Sequence, residues 1–219
     1  ERLAGVGELA AGIAHEIRNP LGNISSSAQI CLSKFKHPKE VQQFLEIIQE
    51  DSDKANSIIK GLLDFANPRD VKFKKGSLLK VLKSVIKRID ARCQENNITV
   101  NLVSNGSIRD SIIDAKWLEQ AFLNIAVNAI NAMPDGGDFK IVVKQLTRKI
   151  KVNFIDTGHG ISKKNLTKIF DPFFTTREDG VGLGLSLTHQ IFEDHDGSIQ
   201  IESKEEVGTN VLVEIPIQT

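Results

Sequence analysis

The chain has 219 residues, 40% hydrophobic and 26% charged, with 28 basic against 28 acidic side chains and a formal net charge of zero. That length holds one large domain or two modest ones, and the composition is ordinary for a globular protein. Neutrality gives no electrostatic reason to expect nucleic acid or an anionic membrane as partner. No apolar run approaches the roughly 18–20 residues of a membrane helix, and no basic segment leads into an apolar one as in a signal peptide. Glu1 rather than Met opens the sequence, which reads as a piece of a longer chain. Cys31 and Cys93 are far apart and form no CxxC pair, so they read as two buried thiols rather than a metal site or disulfide.

Residues 1–66 carry helical spacing and almost no strand signal. Leu9, Ile13, Ile17, Leu21, Ile24, Ala28, Cys31 and Phe35 form one apolar stripe at steps of three and four. Lys36–Lys39 interrupts it, and Pro38 suits the first turn of a second helix. That helix is marked by Val41, Phe44, Leu45, Ile48, Ala55, Ile58, Ile59, Leu62, Leu63 and Phe65. An antiparallel hairpin alone cannot cover two such stripes. Pairing with a second copy into a four-helix bundle would, so a homodimer is expected.

Asn67–Asp70 breaks the second helix and reads as a linker, leaving 71–219 as a second domain. Here the grammar alternates. Ser77 to about Asn96 has helical spacing, Ile98–Val103 alternates like a strand, and Ile108–Ile113 offers a second strand. A helix is expected from about Ala115 to Met133, followed by a turn at Pro134–Gly137. Phe139–Val143 and Ile150–Ile155 read as a paired hairpin. A helix near Leu183–His195 and strands Ser198–Ser203 and Thr209–Ile215 close the chain. The expected fold is therefore a helical hairpin followed by an α/β sandwich, with a mixed sheet and helices on one face.

His15 lies off the stripe of Ile13, Ile17 and Leu21, so it is expected to face solvent. Glu16 adjoins it, Asn19 lies one turn on, and Pro20 removes the donor that would meet the Glu16 carbonyl. A neutral imidazole attacks through one nitrogen only if the other can share its proton, and an adjacent carboxylate can accept it. A His-Glu pair alone also fits a solvated helix face; the His-Glu-x-x-Asn-Pro string is far more specific.

Four segments of the second domain suggest a nucleotide pocket. Asn124 and Asn128 share a helix face, and amide oxygens are hard ligands suited to Mg²⁺. Asp156, after an apolar strand, could accept the exocyclic amine of adenine, with Gly158 and Gly160 letting backbone approach the base. Phe170–Arg177, including Thr176 and Arg177, suggests the anchor of a lid, although phenylalanines also simply fill cores. Gly180, Gly182, Leu183 and Gly184 open a helix whose free N–H groups suit phosphates. That run is neither a Walker A loop nor a dinucleotide fingerprint. Thr209 is a further candidate for the pocket wall.

Taken together and in this order, these segments resemble the cytoplasmic core of the two-component sensor histidine kinases, in the manner of the nitrogen-regulator type. The resemblance covers essentially the whole chain through the phosphoacceptor box at His15–Leu21, the Asn box at Asn124–Asn128, the glycine boxes at Asp156–Gly160 and Gly180–Gly184, and the Phe box at Phe170–Thr176. It implies a dimerisation and histidine-phosphotransfer domain followed by a Bergerat-type ATP-binding domain in a cytoplasmic setting. By the same resemblance His15 is the phosphoacceptor, Glu16 its base, and Asn19 the residue that orients water in dephosphorylation. Asn128 holds Mg²⁺ with Asn124 beside it, Asp156 reads adenine, Gly158 and Gly160 line the base, and Gly182 and Gly184 the phosphates. Arg177 stands where relatives often carry Lys. The implied partners are a second copy and the receiver domain of a response regulator, with a membrane reached only through a sensor region upstream. Two other readings account for part of the pattern: a Bergerat-type ATPase or serine kinase of another purpose, and a scaffold with a dead ATP site.

Overall fold

A computed structural model describes residues 17, 20–34, 38–66, 70–177 and 182–217. It falls into two compact units: Glu1–Arg69 with Thr175–Leu183, and Asp70–Phe174 with Gly184–Thr219. The linker residues 67–69 lie outside the described residues.

The first unit is helical. Helix α1 covers residues 20–34, and α2 is Lys39–Ala66. Pro38 stands just before α2, where its missing N–H costs nothing and its carbonyl accepts from Gln42 N at 3.1 Å. Ser25 Oγ reaches Asp53 Oδ1 at 3.5 Å across the pair, and Ala28, Ser52 and Ile59 are buried. Among the described residues, part of each expected stripe is exposed: Ile17 is 45% and Ile24 46% exposed on the first, Phe44 67% and Ile48 42% on the second. No described helix is long and apolar enough to cross a membrane.

The second unit holds strands β1 (Lys74–Gly76), β2 (Ile98–Asn105), β3 (Ser111–Ile113), β4 (Gly137–Gln145), β5 (Lys149–Asp156), β6 (Ser198–Lys204) and β7 (Gly208–Pro216). Its helices are α3 (Leu78–Glu95), α4 (Ala115–Asn131), the single turn α5 (Lys163–Leu166) and α6 (Gly184–Asp194). Five strands form a mixed sheet in the order β2-β4-β5-β7-β6, parallel only between β2 and β4. One face is apolar by strict alternation. Phe139, Ile141 and Val143 of β4, Ile150, Val152 and Phe154 of β5, and Val211, Val213 and Ile215 of β7 lie on it, with Ile141 opposite Phe154 and Val143 opposite Val152. Helices α3, α4 and α6 supply the facing layer. Phe122 of α4 lies 5.4 Å from the Phe154 ring and 5.9 Å from Phe192 of α6, joining sheet and two helices at one point. Burial of each such ring stabilises by about 1.5–3 kcal/mol.

Two features depart from the periodicity. The strand expected over Ile108–Ile113 is confined to Ser111–Ile113, and it pairs with β1, a Lys-Lys-Gly segment without strand character, in a separate two-stranded sheet. What holds this corner is Asp114, the N-cap of α4. Its Oδ1 accepts from Lys116 N (3.0 Å) and Trp117 N (3.1 Å), and its Oδ2 from Lys72 N (2.6 Å). The Asp114 N–H in turn donates to Nε2 of His195 at 3.0 Å, while His195 Nδ1 donates to the Ile191 carbonyl at 2.7 Å. Those two bonds set the imidazole as the neutral Nδ1–H tautomer. His195 is 2% exposed, and Phe73 meets its ring edge-on at 5.1 Å.

His195→Leu leaves a buried N–H and a carbonyl without this partner. It is expected to lower the unfolding free energy by about 2–4 kcal/mol, seen in urea as a lower midpoint with an unchanged slope. A midpoint within experimental error of the parent would show that this corner is held by other contacts.

Candidate functional site

Along β5, Ile150, Val152 and Phe154 point into the core, and the same alternation carries Asp156 inward at the strand end. A carboxylate thus occupies the place of the next apolar residue, and it is 7% exposed. Its Oδ1 accepts from Gly158 N at 3.0 Å and Thr209 N at 3.2 Å. Both bonds end on one oxygen, which leaves Oδ2 to receive a third donor. Burial raises the Asp156 pKa above the ordinary carboxylate range, and the two backbone N–H groups and His159 oppose that rise.

Close backbone approach shapes the surroundings. A Cβ on Gly158 would stand 2.5 Å from the Ala132 carbonyl oxygen, and one on Gly208 2.1 Å from that of Asp156. Gly160 has φ +71°, and a Cβ there would meet the Lys204 carbonyl. His159 N donates to Ala132 O (2.9 Å), and Glu206 N to His159 O (2.8 Å). Asp156, Gly158, Gly160 and Thr209 are thereby drawn together where β5, the end of α4 and the β6–β7 turn meet. Thr209 is buried and pairs in register with Asp156.

Asn124 and Asn128 of α4 have different surroundings. Asn124 Nδ2 donates to Gly184 O (3.2 Å) and Thr188 Oγ1 (3.3 Å), and its Oδ1 accepts from Gln120 Nε2 (3.0 Å). It clamps the start of α6 onto α4. Asn128 projects from the same helix with an exposed side chain. Among the described residues no group of three His, Cys, Asp or Glu side chains could hold a metal ion. Mg²⁺ would fit Asn128 only as a shared ion, held from the protein by the amide oxygen and otherwise by oxygens that a ligand and water would supply.

The other expected site residues are placed as follows. Thr176 and Arg177 are exposed, and Arg177 N donates to Thr175 Oγ1 at 3.1 Å. Gly182 has φ +72°, Leu183 is buried, and Gly184 begins α6. Phe170 packs against His189 of α6 with ring centroids 5.1 Å apart and the planes tilted by 55°. His15, Glu16, Asn19 and Gly180 lie outside the described residues. Sequence reading missed two residues that organise this unit, His195 and Ser203. A histidine at a helix end and a serine on a strand carry no local signal of their partners.

Chemically, the Asp156 corner is a dry acceptor flanked by flat backbone, suited to a planar ring that offers an N–H. Residues 113–219 match the family described as histidine kinase-, DNA gyrase B- and HSP90-like ATPase, and residues 6–70 match the His kinase A phospho-acceptor domain. The sensor histidine kinase ZraS of Escherichia coli K12 is 30% identical over 217 residues, covering 99% of this chain and 47% of that protein. The chain thus spans about half the length of the curated relatives it matches, such as ZraS. The catalytic domain of histidine kinase ThkA is 30% identical with a TM-score of 0.62, over 67% of this chain and 97% of that one. ThkA in complex with the response regulator TrrA is 29% identical with a TM-score of 0.73, over 100% of this chain and 64% of that one. With a phospho-acceptor module and an ATPase module in this order, the chain belongs to the two-component histidine kinases.

Proposed function

We propose that this chain is the autophosphorylating core of a sensor kinase: ATP is the phosphoryl donor, His15 the first acceptor, and an aspartate on a response regulator the second. The observation that carries the reading is the Asp156 carboxylate, with Oδ1 fixed by two backbone donors and Oδ2 left for the amine of adenine. Gly158 and Gly160 lie against the base. The α6 N-terminus, with Gly180, Gly182, Leu183 and Gly184, receives the phosphates, and Thr176 and Arg177 are further phosphate contacts. Asn128 would hold Mg²⁺, which neutralises phosphate charge when bound.

At the other end, Glu16 accepts the proton from the far nitrogen of His15 as the near nitrogen takes the γ-phosphoryl group and the ADP oxygen leaves. Most of the rate comes from placing these groups in line, since phosphoryl transfer asks little covalent chemistry of the protein. Asn19 orients water when the regulator is dephosphorylated. The boundary between a phosphotransfer domain (1–66) and the catalytic domain (71–219) falls at 67–70. Exposure of Phe44, Ile47 and Ile48 on α2 supports homodimerisation into a four-helix bundle. Capture of TrrA by ThkA supports a receiver domain as partner. ATP as substrate suits the cytoplasm, with any membrane reached through a region outside this chain.

Incubation with γ-labelled ATP and Mg²⁺ is expected to label the chain in an acid-labile form, and His15→Gln to abolish the label. Acid-stable label, or full labelling of the variant, would overturn the assignment of His15.

Asp156→Asn separates stability from binding. A raised folded pKa means the fold favours the protonated carboxyl. That contribution to stability is complete below the unfolded pKa and is lost as pH rises through the folded one. The asparagine keeps the Oδ1 acceptor and removes the buried charge, so at pH 7 the variant is expected to melt at or above the parent temperature. Its NH₂ now faces the adenine amine, so ATP affinity is expected to fall on the order of 100-fold. Unchanged affinity in calorimetric titration would place the base elsewhere.

A further inference from the structure

Ser203 of β6 stands directly opposite Thr209 of β7 and belongs to none of the nucleotide motifs. Its hydroxyl is met from three sides. It accepts from Ile161 N at 2.8 Å, donates to the Gly208 carbonyl at 2.9 Å, and lies 2.9 Å from Thr209 Oγ1. A serine has a single hydroxyl hydrogen. The Gly208 carbonyl can only accept, so that hydrogen goes there and the Thr209 hydroxyl must donate to Ser203. Thr209 then has only lone pairs for any other neighbour. It is the register partner of Asp156, 8% exposed, and its own N–H holds Asp156 Oδ1. Directly paired residues project from the same face of a sheet, so two acceptors, Asp156 Oδ2 and Thr209 Oγ1, border one corner.

We infer that Ser203 is a positioning residue for base selection: by taking the Thr209 hydrogen it keeps this corner acceptor-only, open to an amine-bearing base edge and closed to a carbonyl-bearing one. The inference rests on the reading of the Asp156 corner as the base pocket. Adenine brings an amine to such a corner, whereas guanine brings its O6 carbonyl, which meets two acceptors and no donor. Without the Ser203 hydroxyl, Thr209 is free to rotate and offer its hydrogen to that carbonyl. Discrimination then rests on Asp156 alone.

The test is equilibrium titration of the chain with ATP and with GTP in the presence of Mg²⁺. The parent is expected to prefer ATP. In Ser203→Ala the ATP-over-GTP affinity ratio is expected to fall ~10-fold, chiefly through tighter GTP binding. Ser203→Thr restores a hydroxyl at the same point and is expected to retain the parent ratio. In a Thr209→Val background, adding Ser203→Ala is expected to change the ratio no further, because the hydroxyl that Ser203 orients is gone. Should Ser203→Ala fail to fold, Ser203→Cys carries the same expectation with the side-chain volume kept. An unchanged ratio in the alanine or cysteine variant overturns the inference, as does a ratio that still shifts in the valine background. A parent chain that binds neither nucleotide overturns the pocket reading, and the inference with it.

Discussion

A carboxylate buried at the end of an apolar strand must be solvated by the protein itself, and the second unit is organised around that requirement at Asp156. Two N–H donors reach one oxygen, from Gly158 two residues along and from Thr209 on the neighbouring strand. Neither can arrive unless the backbones crowd together. The turn after β5 therefore presses on the end of α4, and the start of β7 presses on Asp156 itself, at separations that exclude a Cβ. The glycines follow from the carboxylate as much as from any ligand. Two hydrogen bonds offset only part of the desolvation, so the group keeps a raised pKa and a demand for one more donor.

That residual demand connects fold to function. A fully satisfied Asp156 would be a structural residue and nothing else. Left one donor short, it favours a ligand that supplies an N–H and rejects one that supplies another acceptor, and such rejection is the sharpest discrimination a small pocket achieves. The neighbours keep it so. Thr209 gives Asp156 its backbone N–H, while its hydroxyl hydrogen is directed away to Ser203, which is itself held by Ile161 and Gly208. Within α4, Asn124 is taken up in holding α6, and Asn128 one turn later remains exposed. One helix face thus carries both a clamp and an open amide.

Legibility in the sequence followed the range of the interaction. The stripes of α1 and α2, the alternation of β4, β5 and β7, and the turn at Pro134–Gly137 depend on neighbours a few residues apart and could be read directly. Asp156 was legible because a charged residue ended an apolar alternation and was followed by glycines. The β1–β3 sheet was not. Lys74 and Lys75 have no strand character, and they are strands only because Ile112 and Ile113 lie beside them. The sheet order was likewise hidden, since the parallel pairing of β2 with β4 joins segments separated by β3 and α4. His195 and Ser203 escaped for the same reason. Each is fixed in part by a partner distant in sequence, 81 residues away for Asp114 and 42 for Ile161.

The equal spacing of Asn124 and Asn128 on one helix face suggested one shared chemistry, and the structure gives them two surroundings. Spacing tells which side chains share a face but not which of them the packing has already taken up. Asn124 faces the first turn of α6, where the Gly184 carbonyl and Thr188 hydroxyl stand ready as acceptors. Its NH₂ is drawn there because a buried or half-buried donor without an acceptor is costly. Asn128, one turn on, meets no such acceptor and stays in solvent, where a hard oxygen ligand is useful to an ion that arrives with its own phosphates and water. The free amide is the one that packing does not need. The same logic singles out Oδ2 of Asp156 rather than Oδ1: in both cases the candidate ligand atom is the one that folding left incompletely satisfied.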